Sequence, residues 1–365
     1  MACKKIFIGA TGQHCGKTTI SLSLMHLASK KYERVGFMKP IGPKCIEFNG
    51  HVVDKDAAMF ATVFGVEDDV LLMSPMTLSA GTTRSFLDGE IDMATPRQKI
   101  LAACAELEQK YDFLIIEGAG HGGVGSVVGT NNARVAAMLN APVLLVTGGG
   151  IGNVIDAVEL NLALYERDQA NVRIIMPNKL VPEKRDNALN YLNKAFASKG
   201  LLVAGAFDYS PTLADPTLQH VANFLGQPLH GDSTEQSRIC HNIQMGAASS
   251  QRVIDNLEDS TLLIVTSSRD ELMVTASSLH NIPEYHKRLA GLVIGGHAPI
   301  SDITQRIIDD SGIPYIRIEE TSSEVFHQLR EHVSKIGPED REKIALINSI
   351  AERYIDFEAI DSRLC

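Results

Sequence analysis

Residues 9–19 read GATGQHCGKTT and bring together glycines, one lysine and paired hydroxyls, the residue types that cradle a phosphate. The strict pattern for such a turn is G-x-x-x-x-G-K-[ST]. Gly16-Lys17-Thr18 satisfies its end; Thr11 stands where the first glycine belongs, with Gly9 and Gly12 beside it. An apolar run, KKIFI, leads in, and ISLSLMHLASKKY follows with helical character, so a strand enters the turn and a helix leaves it. In that geometry the backbone N–H groups of Gln13, His14, Cys15, Gly16, Lys17 and Thr18 point into one concavity. Lys17 reaches the terminal phosphates as a point charge, and Thr18 offers a hydroxyl to Mg²⁺. Gly12 and Thr19 belong to the same nucleotide-binding stretch. The competing reading is a glycine-rich turn with an exposed lysine.

Three further signals bear on this chemistry. In FLIIEGAG (113–120), four apolar residues end in Glu117, so a buried strand carries an acid at its carboxyl tip, where ligands bind in open parallel sheets. Glu117 is a candidate Mg²⁺ ligand, directly or through water. Lys39, in FMKP at the end of a second strand, can stabilise transferred charge or be a surface lysine. Asp56 and Asp54, in VVDKDAAMF, are either metal-type carboxylates or helix caps. Asn178, after the run RIIMP, offers a paired donor and acceptor for an adenine edge, or starts a turn. No nucleophile triad is legible; His14 and His121 are the histidines nearest these signals, and His121 follows EGAG where a substrate would lie.

The elements that must position these residues alternate. Strands are expected at 5–8, 35–39, 113–116, 143–147, 173–176 and 203–207. Helices are expected at 18–30, from a cap at Thr95 with Pro96 at the first helical position, and at 132–139, 153–165 and 184–198. Such alternation implies an α/β fold with a mostly parallel sheet covered on both faces. GQPLHGDS (226–233) breaks the pattern. Strands then resume at 261–265, 290–296 and 312–318, with a helix at 302–311, giving a second, smaller α/β domain. The expected organisation is residues 1–225, residues 226–337, and a C-terminal helix (339–354) and tail within 338–365.

Composition narrows the class. The chain has 365 residues, 44% hydrophobic and 21% charged, with net charge −10. No basic block relieves that acidity, so no nucleic-acid or membrane partner is expected. The apolar runs are too short to span a bilayer. No signal peptide is apparent. Six scattered cysteines without C-x-x-C spacing fit a reducing cytoplasm and give neither a zinc site nor a disulfide framework.

Together, ATGQHCGKTT, GFMKP, the D-A-A at Asp56, IIEGAG and PNKL resemble the dethiobiotin synthetase-like P-loop family over roughly residues 1–225. The resemblance implies a doubly wound, mostly parallel sheet of the P-loop NTPase type that binds MgATP. Its synthetases carboxylate a diamine and close a ring through a carbamoyl phosphate. By that resemblance Lys17, Thr18, Asp56 and Glu117 take phosphate and metal positions, Lys39 lies beside the carbamate, and Asn178 recognises the base. One departure concerns the substrate. The family carries a Ser four residues after the lysine of the K-P pair, and here that position is Pro43; the loop after EGAG, HGGVGSVVG, also differs. GPKCIEFNG has a faint similarity to a segment of cobyrinic acid a,c-diamide synthases, but the chain has no glutamine-hydrolysing domain.

Residues 225–335 resemble a DRTGG domain through NIQMGAASS (242–250), LLIVTSSRDELMVTA (262–276), AGLVIGGHAP (290–299) and DSGIPYI (310–316). The namesake motif is partly present as Ser268-Arg269-Asp270 and Gly295-Gly296. This order of domains is that of the N-terminal regulatory region of long phosphotransacetylases, and the chain is expected to be a stand-alone version of it. The resemblance implies a MgATP-binding regulatory or sensor protein with a protein partner on the second domain. The alternative is an ATP-dependent ligase activating a small-molecule carboxylate or carbamate as an acyl phosphate. It also implies a homo-oligomer. A third possibility is a scaffold that keeps the fold without ATP turnover.

Overall fold

The computed structural model describes residues 3–92, 94–331 and 336–364; Cys365 lies outside the described residues. β1 (Lys4–Ala10) carries the apolar run into the glycine turn, and α1 (Lys17–Ser29) leaves it. β2 (Val35–Met38) follows, then a hairpin of β3 (Cys45–Phe48) and β4 (His51–Asp54), and α2 (Lys55–Phe64). β5 (Phe113–Glu117), β6 (Val143–Thr147), β7 (Val172–Pro177) and β8 (Leu202–Val203) complete the strands of the first unit. Six of these strands form one parallel sheet in the order β2-β5-β1-β6-β7-β8. β5 and β6 are buried at every position, and up to the terminal Glu117 and Thr147 their sequences are continuous apolar runs, as a sheet covered on both faces requires. The chain crosses from β1 to β2 on one side and from β5 past β1 to β6 on the other, so the winding reverses at β1. Ligands of open α/β sheets lie beyond the carboxyl ends of the strands at such a reversal.

Two local features depart from the expected elements. The stretch 203–207 forms a strand only at Leu202–Val203, because Gly205 turns out of the sheet at φ +106°. A Cβ there would lie 2.1 Å from the Tyr354 carbonyl oxygen, so the C-terminal segment occupies the space a side chain would need. The helix expected from a Thr95 cap runs Ala94–Lys110 instead, and Asp92 accepts a hydrogen bond from the Ala94 N–H at 3.0 Å.

The chain divides into two units, Met1–Tyr209 with Arg341–Cys365, and Ser210–Asp340. The helices Arg341–Tyr354 and Phe357–Ser362 therefore return to the first unit, both against α1. This explains the burial of α1, in which Ile20, Leu22, Leu24, Met25 and Leu27 are all inside. The buried positions run round the helix and include Ser21 and Ser23, so it is covered by β1, β2 and β5 and by the returning helix. Asp361 fastens that return, accepting from Lys4 Nζ at 2.9 Å and Tyr32 Oη at 2.7 Å, while the Phe113 ring packs between Tyr32 and Phe357 at centroid distances of 5.1 and 5.8 Å.

In the second unit β9 (Leu229–His230), β10 (Asn242–Met245), β11 (Thr261–Thr266), β12 (Leu289–Gly295) and β13 (Tyr315–Ile318) are ordered β10-β11-β12-β13-β9, the first four parallel and β9 antiparallel at the edge. Alternate residues of β11 feed two cores, Leu263 and Val265 with Leu272 and Ile308, Leu262 and Ile264 with Val325 and Leu329. Leu218, Val221 and Ala222 belong to the second of these cores. The helix Leu218–Leu225 thus goes with the second unit, although it precedes the Gly/Pro-rich break used to divide the sequence at 225. Among the described residues no helix is long and apolar enough to cross a membrane.

Candidate functional site

The turn after β1 ends in Gly16, held at φ +94° immediately before α1. Gly16, as the N-cap residue, has no side chain to cap α1. Its first N–H groups, with the positive end of the helix dipole behind them, are donors for an anion. Lys17 opens the helix and is only 9% exposed, with its ammonium donating to the Gly120 carbonyl at 2.5 Å. Burial pushes the Lys17 pKa below its ordinary value; the Glu117 carboxylate opposes this and the Lys39 ammonium adds to it. A poorly solvated ammonium with three donors is a strong receptor for phosphate oxygens.

Glu117 stands at the carboxyl end of β5 and is 1% exposed. Its Oε1 accepts from Lys39 Nζ at 2.6 Å and from Thr18 Oγ1 at 3.4 Å, and its Oε2 accepts from Ser21 Oγ at 2.8 Å. Asp56, in the first turn of α2, places Oδ2 3.0 Å from the same Lys39 ammonium, which also donates to the Gly118 carbonyl at 3.3 Å. Burial alone would lower the Lys39 pKa, but Glu117, Asp56 and Asp54 outweigh it and hold the group charged, its pKa above the ordinary lysine value. The structure thus gathers Lys17, Thr18, Lys39, Asp56 and Glu117 at the ends of β1, β2 and β5 and the start of α2.

Asp54 has the helix-capping role, its Oδ1 accepting from the Asp56 N–H at 2.9 Å and its Oδ2 from the Lys44 N–H at 3.2 Å. Burial, with the negative charge of Asp56 adding, raises its carboxyl above the usual range. Asn178 follows β7 and turns toward the glycine turn. Its Nδ2 donates to the Cys15 carbonyl at 2.8 Å and its Oδ1 accepts from the Lys179 N–H at 2.9 Å. It is therefore a strut of the phosphate turn. His14 adopts φ +56° within that turn. His121 is exposed beyond β5, and its Nδ1 accepts from the Gly123 N–H at 3.2 Å, which leaves the proton of the neutral ring on Nε2.

Three positioning residues escaped the reading of the sequence. Ser21, fully buried, fixes the second oxygen of Glu117; its signal is a hydroxyl one turn after Lys17, between Ile20 and Leu22. Asn132 donates to the carbonyls of Ala119 and His121 at 2.7 and 2.8 Å and accepts from the Ala119 N–H at 3.0 Å, fixing the loop after Glu117. Asn161 donates to the Thr11 carbonyl at 3.2 Å. For the asparagines only the fold brings donor and loop together.

The residues present fit a hard divalent cation. Thr18, Asp56 and Glu117 supply one hydroxyl and two carboxylates, all oxygen. Among the described residues no three His, Cys, Asp or Glu side chains could hold a metal ion by themselves, so a cation here would need the hydroxyl and further oxygens to complete its shell.

A parallel sheet with a winding reversal at β1, a glycine turn running into an uncapped helix, and a lysine at that helix start define a P-loop α/β protein. The chain belongs to the AAA domain family, whose pattern it matches over residues 4–217, and it continues with a DRTGG domain over residues 220–332. It is 24% identical over 367 residues to a phosphate acetyltransferase of Pseudomonas putida, covering 96% of this chain and 50% of that protein. It is 27% identical over 147 residues to an ATP-dependent dethiobiotin synthetase of Idiomarina loihiensis, covering 40% of this chain and 66% of the synthetase. The chain spans about half the length of the phosphate acetyltransferases it matches, and its pairing of domains relates it to their N-terminal region. The MinD cell division protein of Aquifex aeolicus aligns with a TM-score of 0.35 and 16% identity, over 58% of this chain and 84% of MinD.

Proposed function

We propose that the first unit binds MgATP and that the protein is a regulatory or sensor protein whose second unit transmits the bound state to a protein partner. The observation that carries the nucleotide assignment is Lys17, a buried ammonium at the uncapped start of a 13-residue helix. The γ-phosphate would lie against Lys17 and the first N–H groups of α1. Thr18, Asp56 and Glu117 would hold Mg²⁺, which supplies charge neutralisation between the terminal phosphates. The regulatory reading is supported by the kinship with the N-terminal region of phosphate acetyltransferases and by Pro43, which stands where the synthetases carry a substrate-holding Ser.

The second reading is an ATP-dependent ligase that forms an acyl phosphate from a carboxylate or carbamate. Lys39 favours it: its ammonium reaches the Gly118 carbonyl at the end of β5, where a small acid could meet a terminal phosphate. The deciding experiment measures ATP affinity by calorimetry and ADP release from MgATP, alone and with a diamine plus bicarbonate. Tight binding without stimulated ADP release supports the sensor. Stimulation by the diamine and bicarbonate overturns it in favour of the ligase, and no binding overturns both.

A further inference from the structure

The groups expected to hold the metal are already gathered around a cation that the chain supplies itself. Lys39 Nζ lies 2.6 Å from Glu117 Oε1, 3.0 Å from Asp56 Oδ2 and 3.3 Å from the Gly118 carbonyl, and its side chain is 4% exposed. Glu117 cannot rotate away to offer its other oxygen, because Ser21 holds Oε2 from within the buried face of α1 at 2.8 Å. Asp56 is fixed at the start of α2, whose cap is Asp54. Mg²⁺ needs oxygens at about 2.1 Å in a near-octahedral shell. That volume and the same two carboxylate oxygens are taken by the ammonium, so the two cations exclude each other.

We propose that Lys39 is a built-in stand-in for the metal, which bars free Mg²⁺ from Asp56 and Glu117 until a polyphosphate draws the ammonium away. The inference rests on the MgATP reading for its second half, and stands without it for its first. It follows that the divalent cation enters with the nucleotide and not before it. Asp56 and Glu117 are paired with Lys39, the charge of Asp54 adds to theirs, and the other cation of the site, Lys17, is engaged at Gly120. Removing the Lys39 charge therefore leaves a buried carboxylate pair that a metal can satisfy. The role assigned to Lys39 is positional: it selects the order of binding through the carboxylates it holds.

The test uses the full chain, wild type and Lys39→Met, which keeps the length of the side chain. Mn²⁺ binding is titrated by electron paramagnetic resonance without nucleotide, and thermal stability is followed with Mg²⁺ against NaCl of matched ionic strength. Lys39→Met is expected to bind Mn²⁺ at least about tenfold more tightly than wild type. It is also expected to be less stable than wild type, and to be restored by Mg²⁺ but not by NaCl. Should the variant fail to fold without metal, folding on addition of Mg²⁺ is the same result in stronger form. The double variant Lys39→Met with Glu117→Gln should lose both the tight Mn²⁺ binding and the rescue. Equal Mn²⁺ affinity in wild type and Lys39→Met, or a loss of stability that Mg²⁺ does not repair, overturns the proposal. A calorimetric titration of wild type with ATP separates the two claims. Rescue of Lys39→Met by metal together with no ATP binding by wild type would retain the stand-in and refute the nucleotide reading.

Discussion

Gly16→Ala should show how far the phosphate turn is fixed from outside itself. Two costs are separable. Gly16 has φ +94°, and an L-residue in left-handed backbone costs about 1–2 kcal/mol. A Cβ at this position would also lie 2.0 Å from Asn178 Nδ2. The Asn178 side chain would have to move, giving up its 2.8 Å hydrogen bond to the Cys15 carbonyl, a further loss of about 1 kcal/mol. The sum, about 2–3 kcal/mol, corresponds to roughly 30- to 150-fold faster amide exchange when α1 opens. Native-state hydrogen exchange read by mass spectrometry is the right assay, because peptides of α1 report the first unit separately from the second. In an Asn178→Ala background the collision is gone, and Gly16→Ala should cost only the backbone term. The two substitutions should thus couple by about 1 kcal/mol. An equal cost in both backgrounds would refute the collision with Asn178. A cost below about 0.5 kcal/mol in wild type would refute the backbone argument as well.

Three further outcomes follow from the same geometry. Lys17→Ala should weaken ATP binding by about a hundredfold, the loss of a charge-assisted contact in a buried site; calorimetry with an unchanged dissociation constant would remove Lys17 from the phosphate site. In the second unit, burial, reinforced by His286 and Arg238 and opposed by Glu235 and Asp232, lowers the His280 pKa from 6.5 to about 4. The unfolded chain therefore binds a proton that the folded unit resists, and stability should fall as pH drops from about 6.5 toward 4. His280→Gln should flatten that limb in denaturant titrations, and an unchanged slope would assign it elsewhere. Asp361→Asn should loosen the C-terminal helices by about 2–3 kcal/mol, seen as faster exchange in residues 341–362. Burial pushes the Asp361 carboxyl up, but the hydrogen bonds from Lys4, Tyr32 and Lys31 outweigh it and leave it below its ordinary value. The clasp should accordingly weaken in acid in wild type and lose that dependence in the variant.

Much of the first unit was legible because its information is local. β5 and β6 are continuous apolar runs of strand length, and their limits differ from expectation by at most one residue. Lys17, Lys39 and Glu117 could be located because each stands at or beside a strand end or helix start, where sequence context alone fixes the place. The hairpin β3–β4 is also local: Asn49-Gly50, both with positive φ, is the turn pair that favours two-residue hairpins. β1 runs two residues beyond its expected end because Gly9 and Ala10 pair with Leu145 and Val146 of β6, a ladder that no window of sequence contains. The end of β8 is the same kind of case, set by Tyr354 against Gly205. Asn132 and Asn161 act on loop carbonyls brought close by the fold, and the order of strands is not written in periodicity.

The return of residues 341–364 to α1 makes the second unit an insertion within the first. During synthesis the nascent chain leaves the apolar residues of α1, Ile20, Leu22, Leu24, Met25 and Leu27, without their C-terminal cover for as long as it takes to add more than 300 further residues. The second unit, contiguous from Ser210 to Asp340, has all of its strands in hand before the first can be closed. Folding from the ribosome would thus invert the order of the sequence: the later unit matures first, and the nucleotide-type unit is completed last. A gene fragment cut at residue 225 would be a P-loop domain with one side of its central helix left bare, prone to self-association for a reason unrelated to its site.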